Sequence, residues 1–248
     1  MDSFDYIYED EMGKLVISVE RYVSLNNSKG ITQMKGRRYG DMWERLVKSA
    51  FDKTNISEIG ERVYYQDYVD KWIEQNLSEI DNDYCKENST KLLMKFIEET
   101  TGTSNQDMCD FTFEHNGTLY AVDTKYRFQS NDAKTVREIA NSAEHLRFMG
   151  YKPILLMRTN REDSIESALN RFENSGWDIE CAEDASDFIS EHAGNELNVW
   201  IDKNVDVWSR LRDYHERLKK LRFGDESEWK FYMYLCSSLK CLLKHKKG

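Results

Sequence analysis

Two aspartates and a lysine are spaced so that a β-hairpin would bring them together. Runs of alternating apolar and polar residues, typical of β-strands, stand on both sides of Asn116-Gly117, and this dipeptide favours a two-residue turn. The turn fixes the strand register and places Asp110 opposite Asp123, with both side chains on one face. Because successive strand residues alternate between faces, Lys125 projects on the same side as Asp123. The sequence therefore predicts two carboxylates and one ammonium group close together.

This cluster would suit the hydrolysis of phosphodiester bonds. Opposed carboxylates repel each other, and a divalent cation between them removes that repulsion. Carboxylate oxygens hold Mg²⁺ and leave coordination positions for water and a phosphate oxygen, while the cation polarises the phosphate and lowers the pKa of the water. A lysine beside them can orient the water or offset developing charge. Asp110 and Asp123 are therefore candidate metal ligands and Lys125 is a candidate catalytic residue. An ordinary cross-strand pair of aspartate and lysine at an exposed hairpin end is the alternative explanation.

The segments around the hairpin predict an α/β fold with a mixed central sheet flanked by helices. Upstream, the apolar residues of 40–51 recur at helical spacing, and Glu44 lies at the edge of that apolar stripe. Downstream, helices and strands alternate, which favours strands joined by helical crossovers. The other predicted segments are helices at 67–80, 89–100, 132–149, 164–174 and 185–193, and strands at 153–157 and 177–181.

The spacing of the acidic residues resembles the PD-(D/E)xK nuclease superfamily. Asp110 is followed by twelve residues and then by Asp123-Thr124-Lys125, between a helix that bears Glu44 and a following helix and strand. The best populated members of this superfamily at this chain length are type II restriction endonucleases. The resemblance implies that Asp110 and Asp123 bind Mg²⁺, that Lys125 assists the attacking water, and that Glu44 is an extra carboxylate of the active site.

The first metal ligand has two candidates. The family's proline before the first aspartate is replaced here by Cys109, and Asp107 stands three residues upstream of Asp110. We prefer Asp110, because only this residue falls in the paired register of the hairpin. Asp107 stays open as the alternative, and the strand that should precede Asp110 is not obvious within 101–109.

The domain organisation follows from the same resemblance. A restriction-endonuclease-like core of helix, three strands, helix and strand would cover roughly residues 36–158. We interpret the whole chain, 1–248, as a single domain with additional N-terminal and C-terminal helices. In this interpretation 159–203 extends the α/β core, and 204–248 is a helical appendage for dimerisation or DNA contact.

The net charge of −10 conceals an uneven distribution of charge along the chain. Basic residues exceed acidic ones in 29–53, 124–152 and 204–248, so a polyanion would be attracted to these windows only. Solvated helix faces are the alternative explanation for these windows, as are a solvated loop for 35–38 and a polar turn for 126–131. The predicted DNA contacts are Lys35, Arg37 and Arg38, before the Glu44 helix, and Arg127 and Gln129, beyond Lys125.

Several classes of protein have no support in the sequence. It contains no glycine-rich phosphate-binding motif and no G-x-S-x-G, which argues against nucleotide-binding enzymes of the common types and against esterases. Its five cysteines never stand as C-x-x-C and its five histidines are scattered, which argues against a disulfide framework and a zinc site. Because the sequence shows neither a membrane-spanning stretch nor a secretory signal, we expect a cytoplasmic protein.

The leading functional prediction is a Mg²⁺-dependent, sequence-specific endonuclease that cuts double-stranded DNA. A palindromic site presents both strands with the same geometry, so a homodimer with one active centre in each subunit would cut both. One alternative is a repair or recombination nuclease with the same core, which would recognise DNA structure rather than sequence. Another is a non-enzymatic module whose acidic surface binds a basic partner.

Overall fold

Two compact units make up the chain. Of the residues described below, one unit combines those up to 50 with 195–204, and the other takes those from 51 to 194. In the first unit, helix α1 covers Ser3–Ser24, α2 covers Ser28–Asp52 and reaches the second unit at its end, and α8 covers Glu196–Lys203. The computed structural model describes residues 3–24, 28–54, 59–60, 62–77, 83–101, 107–130 and 132–204.

The second unit is built on a five-stranded mixed sheet. Its strands are β1 (Ile59–Gly60), β2 (Phe111–His115), β3 (Thr118–Lys125), β4 (Lys152–Met157) and β5 (Asp178–Cys181), and they lie in that order across the sheet. The pairs β1–β2 and β2–β3 are antiparallel, whereas β3–β4 and β4–β5 are parallel. The helices of this unit are α3 (Tyr65–Leu77), α4 (Asp83–Thr101), α5 (Ala133–Phe148), α6 (Glu166–Ser175) and α7 (Glu183–Ala193), with a 3₁₀ turn at Arg161–Asp163. The predicted α/β fold with a mixed, helix-flanked sheet is confirmed.

The hairpin has the predicted register. Phe111 pairs with Val122 and His115 pairs with Thr118, so the next pair beyond the strand end would be Asp110 and Asp123. Asn116 and Gly117 form the turn with φ values of +51° and +77°. Positive φ at both turn residues matches the right-handed twist of the flanking strands, and asparagine and glycine are the residues that adopt it most easily.

Apolar side chains cover both faces of the sheet. On one face, Ala121 of β3 and Leu155 of β4 belong to a buried cluster with residues of α3, α5 and α6. On the other face, the ring of Phe113 lies 4.7 Å from that of Phe51 and 6.3 Å from that of Phe188 in α7. Since strand residues alternate, Asp123 and Lys125 share the face of Ala121. The sheet therefore directs these two side chains towards the α5 side.

Local signals explain how α5 begins and how α6 ends. Asp132 is the N-cap of α5, and its carboxylate accepts a hydrogen bond from the backbone N–H of Lys134 at 3.2 Å. Gly176 ends α6 with a φ of +106°, a conformation that glycine adopts at little cost. Both ends lie close to the positions that the sequence predicts.

Ion pairs and aromatic contacts hold the first unit together. Trp200 of α8 donates a hydrogen bond from Nε1 to Oδ1 of Asp5 at 2.8 Å, and its ring lies 6.0 Å from that of Phe4. Glu11 of α1 is only 3% exposed and forms an ion pair with Arg45 of α2. A buried carboxylate needs such a partner, so this pair fixes α1 against α2.

The structure corrects three details of the predicted elements. The segment with Lys35, Arg37 and Arg38 lies inside α2 instead of in a loop before it, because α2 begins at Ser28 rather than near Gly40. The strand next to β2 is β1, which lies upstream of α3 and α4 rather than just before Asp110. Helix α8 was not predicted.

The C-terminal appendage and the absence of a membrane-spanning stretch are the remaining predictions about the chain. The described residues end at Asn204, so the predicted C-terminal appendage after this residue lies outside them. None of the described helices has a stretch both long and apolar enough to cross a membrane.

Candidate active site

Asp110 stands immediately before β2 and is held by β3. Its backbone N–H donates a hydrogen bond to the carbonyl oxygen of Val122 at 2.8 Å, which continues the hairpin ladder. Its carboxylate oxygen Oδ2 accepts hydrogen bonds from the backbone N–H of Thr124 at 2.8 Å and from the Thr124 hydroxyl at 2.7 Å. Two donors on one oxygen fix the orientation of the Asp110 carboxylate.

Asp123 lies one residue before Thr124 on β3 and is only 8% exposed. Its Oδ1 accepts a hydrogen bond from Nζ of Lys125 at 2.6 Å, and the same Nζ is 3.2 Å from the carbonyl oxygen of Thr124. The carboxylate and the ammonium group are therefore in direct contact. The lysine is held at the carboxylate rather than extended into solvent.

Burial raises the pKa of Asp123 to about 7. The ammonium of Lys125 works against this shift, and the nearby carboxylate of Asp110 adds to it, because a second negative charge disfavours ionisation. A buried acid that is only partly ionised near neutral pH is a common feature of functional sites. A bound cation would favour the ionised form.

The three predicted residues line one cavity of about 250 Å³. Thr135 and Glu138 from α5 line the same cavity opposite the hairpin residues. The structure thus brings Asp110, Asp123 and Lys125 together, as the strand register predicts. The carboxylate of Glu138 also lines this cavity and was not predicted from the sequence. The signal for it is the i, i+3, i+4, i+7 spacing of the α5 residues that line the cavity, which are Thr135, Glu138, Ile139 and Ser142.

Asp107, the alternative first ligand, also lines the cavity, but its carboxylate forms an ion pair with Arg62. Its backbone lies beside Tyr64 in an isolated β-bridge. The Asp110 carboxylate is instead hydrogen-bonded by Thr124, and Asp110 remains the predicted first ligand. Cys109 between them is buried, and burial raises the pKa of its thiol to about 12, so it stays protonated.

The residues present fit one hydrated Mg²⁺ ion. Within the described part of the chain, no group of three or more Asp, Glu, His or Cys side chains is arranged to hold a metal ion. Mg²⁺ usually keeps several waters and is held by only one or two carboxylates together with substrate phosphates. Asp110 and Asp123 supply those two carboxylates, and the cavity has room for water.

The other predicted site residues of the N-terminal segment belong to the first unit. Glu44 is half-buried on α2, and its role remains a prediction. Arg37 is exposed, whereas Arg38 pairs with Asp41 at 3.1 Å and with Glu11 at 3.5 Å. The side chain of Lys35 lies outside the described residues.

Arg127 and Gln129 follow directly after β3 in the second unit. Both are exposed, and Nε2 of Gln129 donates a hydrogen bond to the backbone oxygen of Asp163 at 3.3 Å. Their exposure leaves them accessible to a polyanion, and their predicted contact with DNA remains a prediction.

The chain was compared with family models, curated proteins and solved structures. No family model, no curated protein and no solved structure matches the chain.

Proposed function

We propose that this protein is a Mg²⁺-dependent endonuclease of the PD-(D/E)xK type that hydrolyses phosphodiester bonds in double-stranded DNA. The observation that carries the proposal is the shared cavity of Asp110, Asp123 and Lys125, in which the buried Asp123 is in contact with the ammonium group. Two carboxylates and one lysine in this arrangement are the groups that metal-assisted phosphodiester hydrolysis needs.

The order of elements supports the same proposal. Along the chain, α2, β1, β2, β3, α5 and β4 follow the order of helix, three strands, helix and strand that the superfamily has. Helices α3 and α4 are inserted between β1 and β2. The candidate residues stand at the end of β2–β3, next to the crossover helix.

Each residue of the cluster has a defined task in the proposed reaction. When bound, Mg²⁺ supplies a Lewis acid that polarises the phosphate and lowers the pKa of water. Thr124 holds the Asp110 carboxylate in one orientation, and Asp123 lies buried beside it. The ammonium of Lys125, held by Asp123 and the Thr124 carbonyl, offsets the negative charge that develops on the phosphate or orients the water.

The finer part of the proposal is that cleavage is specific for a DNA sequence and that two copies act together. Supercoiled plasmid of known sequence should be incubated with the protein in Mg²⁺ and in EDTA. Discrete fragments whose ends share one sequence support a type II restriction activity. Fragments with unrelated ends would instead indicate a nuclease that recognises DNA structure.

A pair of variants separates this activity from a contaminating nuclease. Asp123→Asn should abolish cleavage, while Asp187→Asn, which removes the same charge from an exposed position on α7, should cleave like the unaltered protein. Absence of cleavage by the unaltered protein, together with absence of divalent-metal binding in calorimetry, would refute the proposal and favour the non-enzymatic alternative.

A further inference from the structure

Two histidines from distant parts of the sequence meet on the sheet face opposite to the candidate active site. His115 ends β2 beside the hairpin turn, and His192 lies in the last turn of α7. Their ring centroids are 4.9 Å apart, with an angle of 63° between the ring planes. Because strand residues alternate, His115 shares the face of Phe113 and not that of Asp123. The five-residue strand β2, which spans about 17 Å, lies between Asp110 and this pair.

His192 is held in the tautomer of a metal ligand. It is only 4% exposed, and its Nδ1 lies 2.9 Å from the carbonyl oxygen of Phe188, one turn earlier in α7. A carbonyl oxygen can only accept a hydrogen bond, so Nδ1 carries the proton and the neutral ring has its lone pair on Nε2. Histidines that bind metals usually donate their second ring N–H to a carbonyl or carboxylate in this way. The Nε2 atom of His192 is therefore prepared to bind a cation.

His115 has a buried nitrogen without a partner. Its Nδ1 is shielded from solvent and forms no hydrogen bond with any residue that the structure describes. A polar atom buried in this way destabilises the folded chain, and such atoms in native proteins call for a ligand such as an ion or a water molecule. A cation bound to this nitrogen would satisfy it.

The separation of the two rings matches that of two imidazoles on one ion. Zn²⁺ lies about 2.1 Å from a histidine nitrogen, so two imidazoles at a tetrahedral ion have ring centroids about 5 Å apart. The observed separation of 4.9 Å agrees with this value. The two side chains therefore need little movement to share an ion.

The surroundings of the pair favour a transition metal over Mg²⁺. The ring of His192 stacks on Phe188 at 4.3 Å between centroids and lies 5.5 Å from Phe113 and 5.2 Å from Tyr120. Within the described ranges, no carboxylate or thiol joins the two imidazoles to make a metal-binding group of three. Mg²⁺ requires oxygen ligands, whereas imidazole suits Zn²⁺ and Ni²⁺. Two protein ligands leave the other coordination positions of such an ion to water.

We propose that His115 and His192 form a second cation site, which binds a transition-metal ion such as Zn²⁺ or Ni²⁺ through Nδ1 of His115 and Nε2 of His192. The ion ties the last turn of α7 to the turn end of the hairpin. The inference does not rest on the proposed function, since neither histidine lines the cavity of Asp110 and Asp123. The spacing of the histidines gave no sign of this site, because the two residues stand far apart in the sequence.

Calorimetric titration with Ni²⁺ at pH 7.5 tests the inference in the full-length Asp123→Asn variant, which lacks one ligand of the other candidate cation site. This parent variant should bind Ni²⁺. Adding His115→Phe or His192→Phe should weaken the affinity by at least about 10-fold, because even the loss of an outer-shell partner of a metal ligand has an effect of that size. Phenylalanine keeps the aromatic packing. His145→Phe is the matched control, since it removes a buried histidine outside the pair and should bind Ni²⁺ like the parent.

Melting temperatures support the titration and show that each variant folds. Binding to the folded state alone raises the melting temperature, so Ni²⁺ should raise that of the parent and not that of either pair variant. His115 is half-buried, so His115→Phe still tests the site if His192→Phe does not fold.

Three results would refute the site. They are a parent that binds no Ni²⁺, a folded pair variant that binds Ni²⁺ as tightly as the parent, and an equal rise of the melting temperature in parent and pair variants. None of these results depends on DNA cleavage, so the proposed function succeeds or fails separately.

Discussion

Thr124 gives both of its hydrogen-bond donors to one oxygen of Asp110, the backbone N–H at 2.8 Å and the hydroxyl at 2.7 Å. Thr124 is only 4% exposed, so water does not compete for these bonds. The residue between the second aspartate and the lysine is therefore part of the site, although its own side chain is neither acidic nor basic. Its hydroxyl and amide orient the carboxylate of Asp110, which lies immediately before the neighbouring strand β2.

Thr124→Val should weaken the site without unfolding the protein. The substitution removes the hydroxyl donor, keeps the backbone donor and keeps the branched shape that suits a strand. A hydrogen bond to a charged group contributes on the order of 2 kcal/mol, so we expect Mn²⁺ affinity and cleavage rate to fall by about 10-fold or more. Thr124→Ser is the control, because it keeps the hydroxyl. Equal behaviour of the two variants would show that the hydroxyl does not orient Asp110.

Asp123→Asn should stabilise the metal-free protein at neutral and alkaline pH. Burial raises the pKa of Asp123 to about 7, above its value of 3.8 in the unfolded chain. A group whose pKa is raised by folding stabilises the folded state fully at pH values below its pKa in the unfolded chain. This stabilisation is lost as the pH rises through about 7. The Asn variant should therefore melt several degrees higher than the unaltered protein at pH 8 in EDTA, and the difference should shrink towards pH 4. A lower melting temperature at pH 8 would contradict the assignment.

Lys125→Ala should lose the rate of cleavage and keep the affinity for DNA. The ammonium contacts Asp123 and the Thr124 carbonyl within the cavity, and in the proposed reaction it acts in the chemical step. We expect kcat to fall by about 100-fold or more, while the Kd for DNA measured in Ca²⁺ changes little. If DNA binding and cleavage fell by the same factor, Lys125 would only contact a phosphate of the DNA and would not act in the chemical step.

The adjacent arginines of α2 should have different roles, although both are predicted DNA contacts. Arg37 is exposed, so Arg37→Gln should weaken binding to all DNA sequences and lower the salt dependence by about one counterion. Arg38 pairs with the buried Glu11 and with Asp41, so Arg38→Gln should lower the free energy of unfolding by about 1 kcal/mol. DNA binding across a salt series and urea unfolding measure the two effects. If a variant with both substitutions kept its affinity for DNA and the salt dependence of that affinity, neither arginine would contact DNA.

His145 should make the protein sensitive to acid. Its ring stacks on Tyr68 with 4.1 Å between centroids, and burial lowers its pKa to about 4. A group whose pKa is lowered by folding stabilises the folded state at pH values above its pKa in the unfolded chain, which is about 6.5 for histidine. This stabilisation is lost as the pH falls through about 4. The full effect is about 3 kcal/mol. His145→Phe keeps the aromatic stacking and removes the titration, so its unfolding free energy should fall less between pH 7 and pH 4. A parallel decline of both proteins would assign the acid sensitivity to other groups.

The candidate site was predictable from sequence because it depends on local geometry. Asn116-Gly117 allows one tight turn, and this turn alone fixes which residue opposes Asp123. The carboxylate of Asp132 likewise marks the start of α5. Such features depend only on residues that are neighbours in the chain, so the types and spacing of these residues predict them.

The parts that sequence did not predict depend on distant partners. Strand β1 covers Ile59–Gly60, and its partner Phe113 is far along the chain, so no local alternation reveals it. Glu138 becomes part of the site only because α5 packs on the sheet face that bears Asp123. The beginning of α2 was misplaced because the apolar spacing that predicted the helix covers only 40–51, whereas the helix begins at Ser28.

The composition of β5 limits how two copies of this protein can associate. This strand forms one edge of the described sheet and carries Asp178 and Glu180, of which Asp178 pairs with Lys152 at 3.0 Å. Two copies joined edge to edge through β5 would bring four carboxylates together along the new seam, and like charges at that distance repel. Charged edges of this kind also oppose aggregation by strand addition. We therefore expect the two subunits of the proposed nuclease to meet through a different surface.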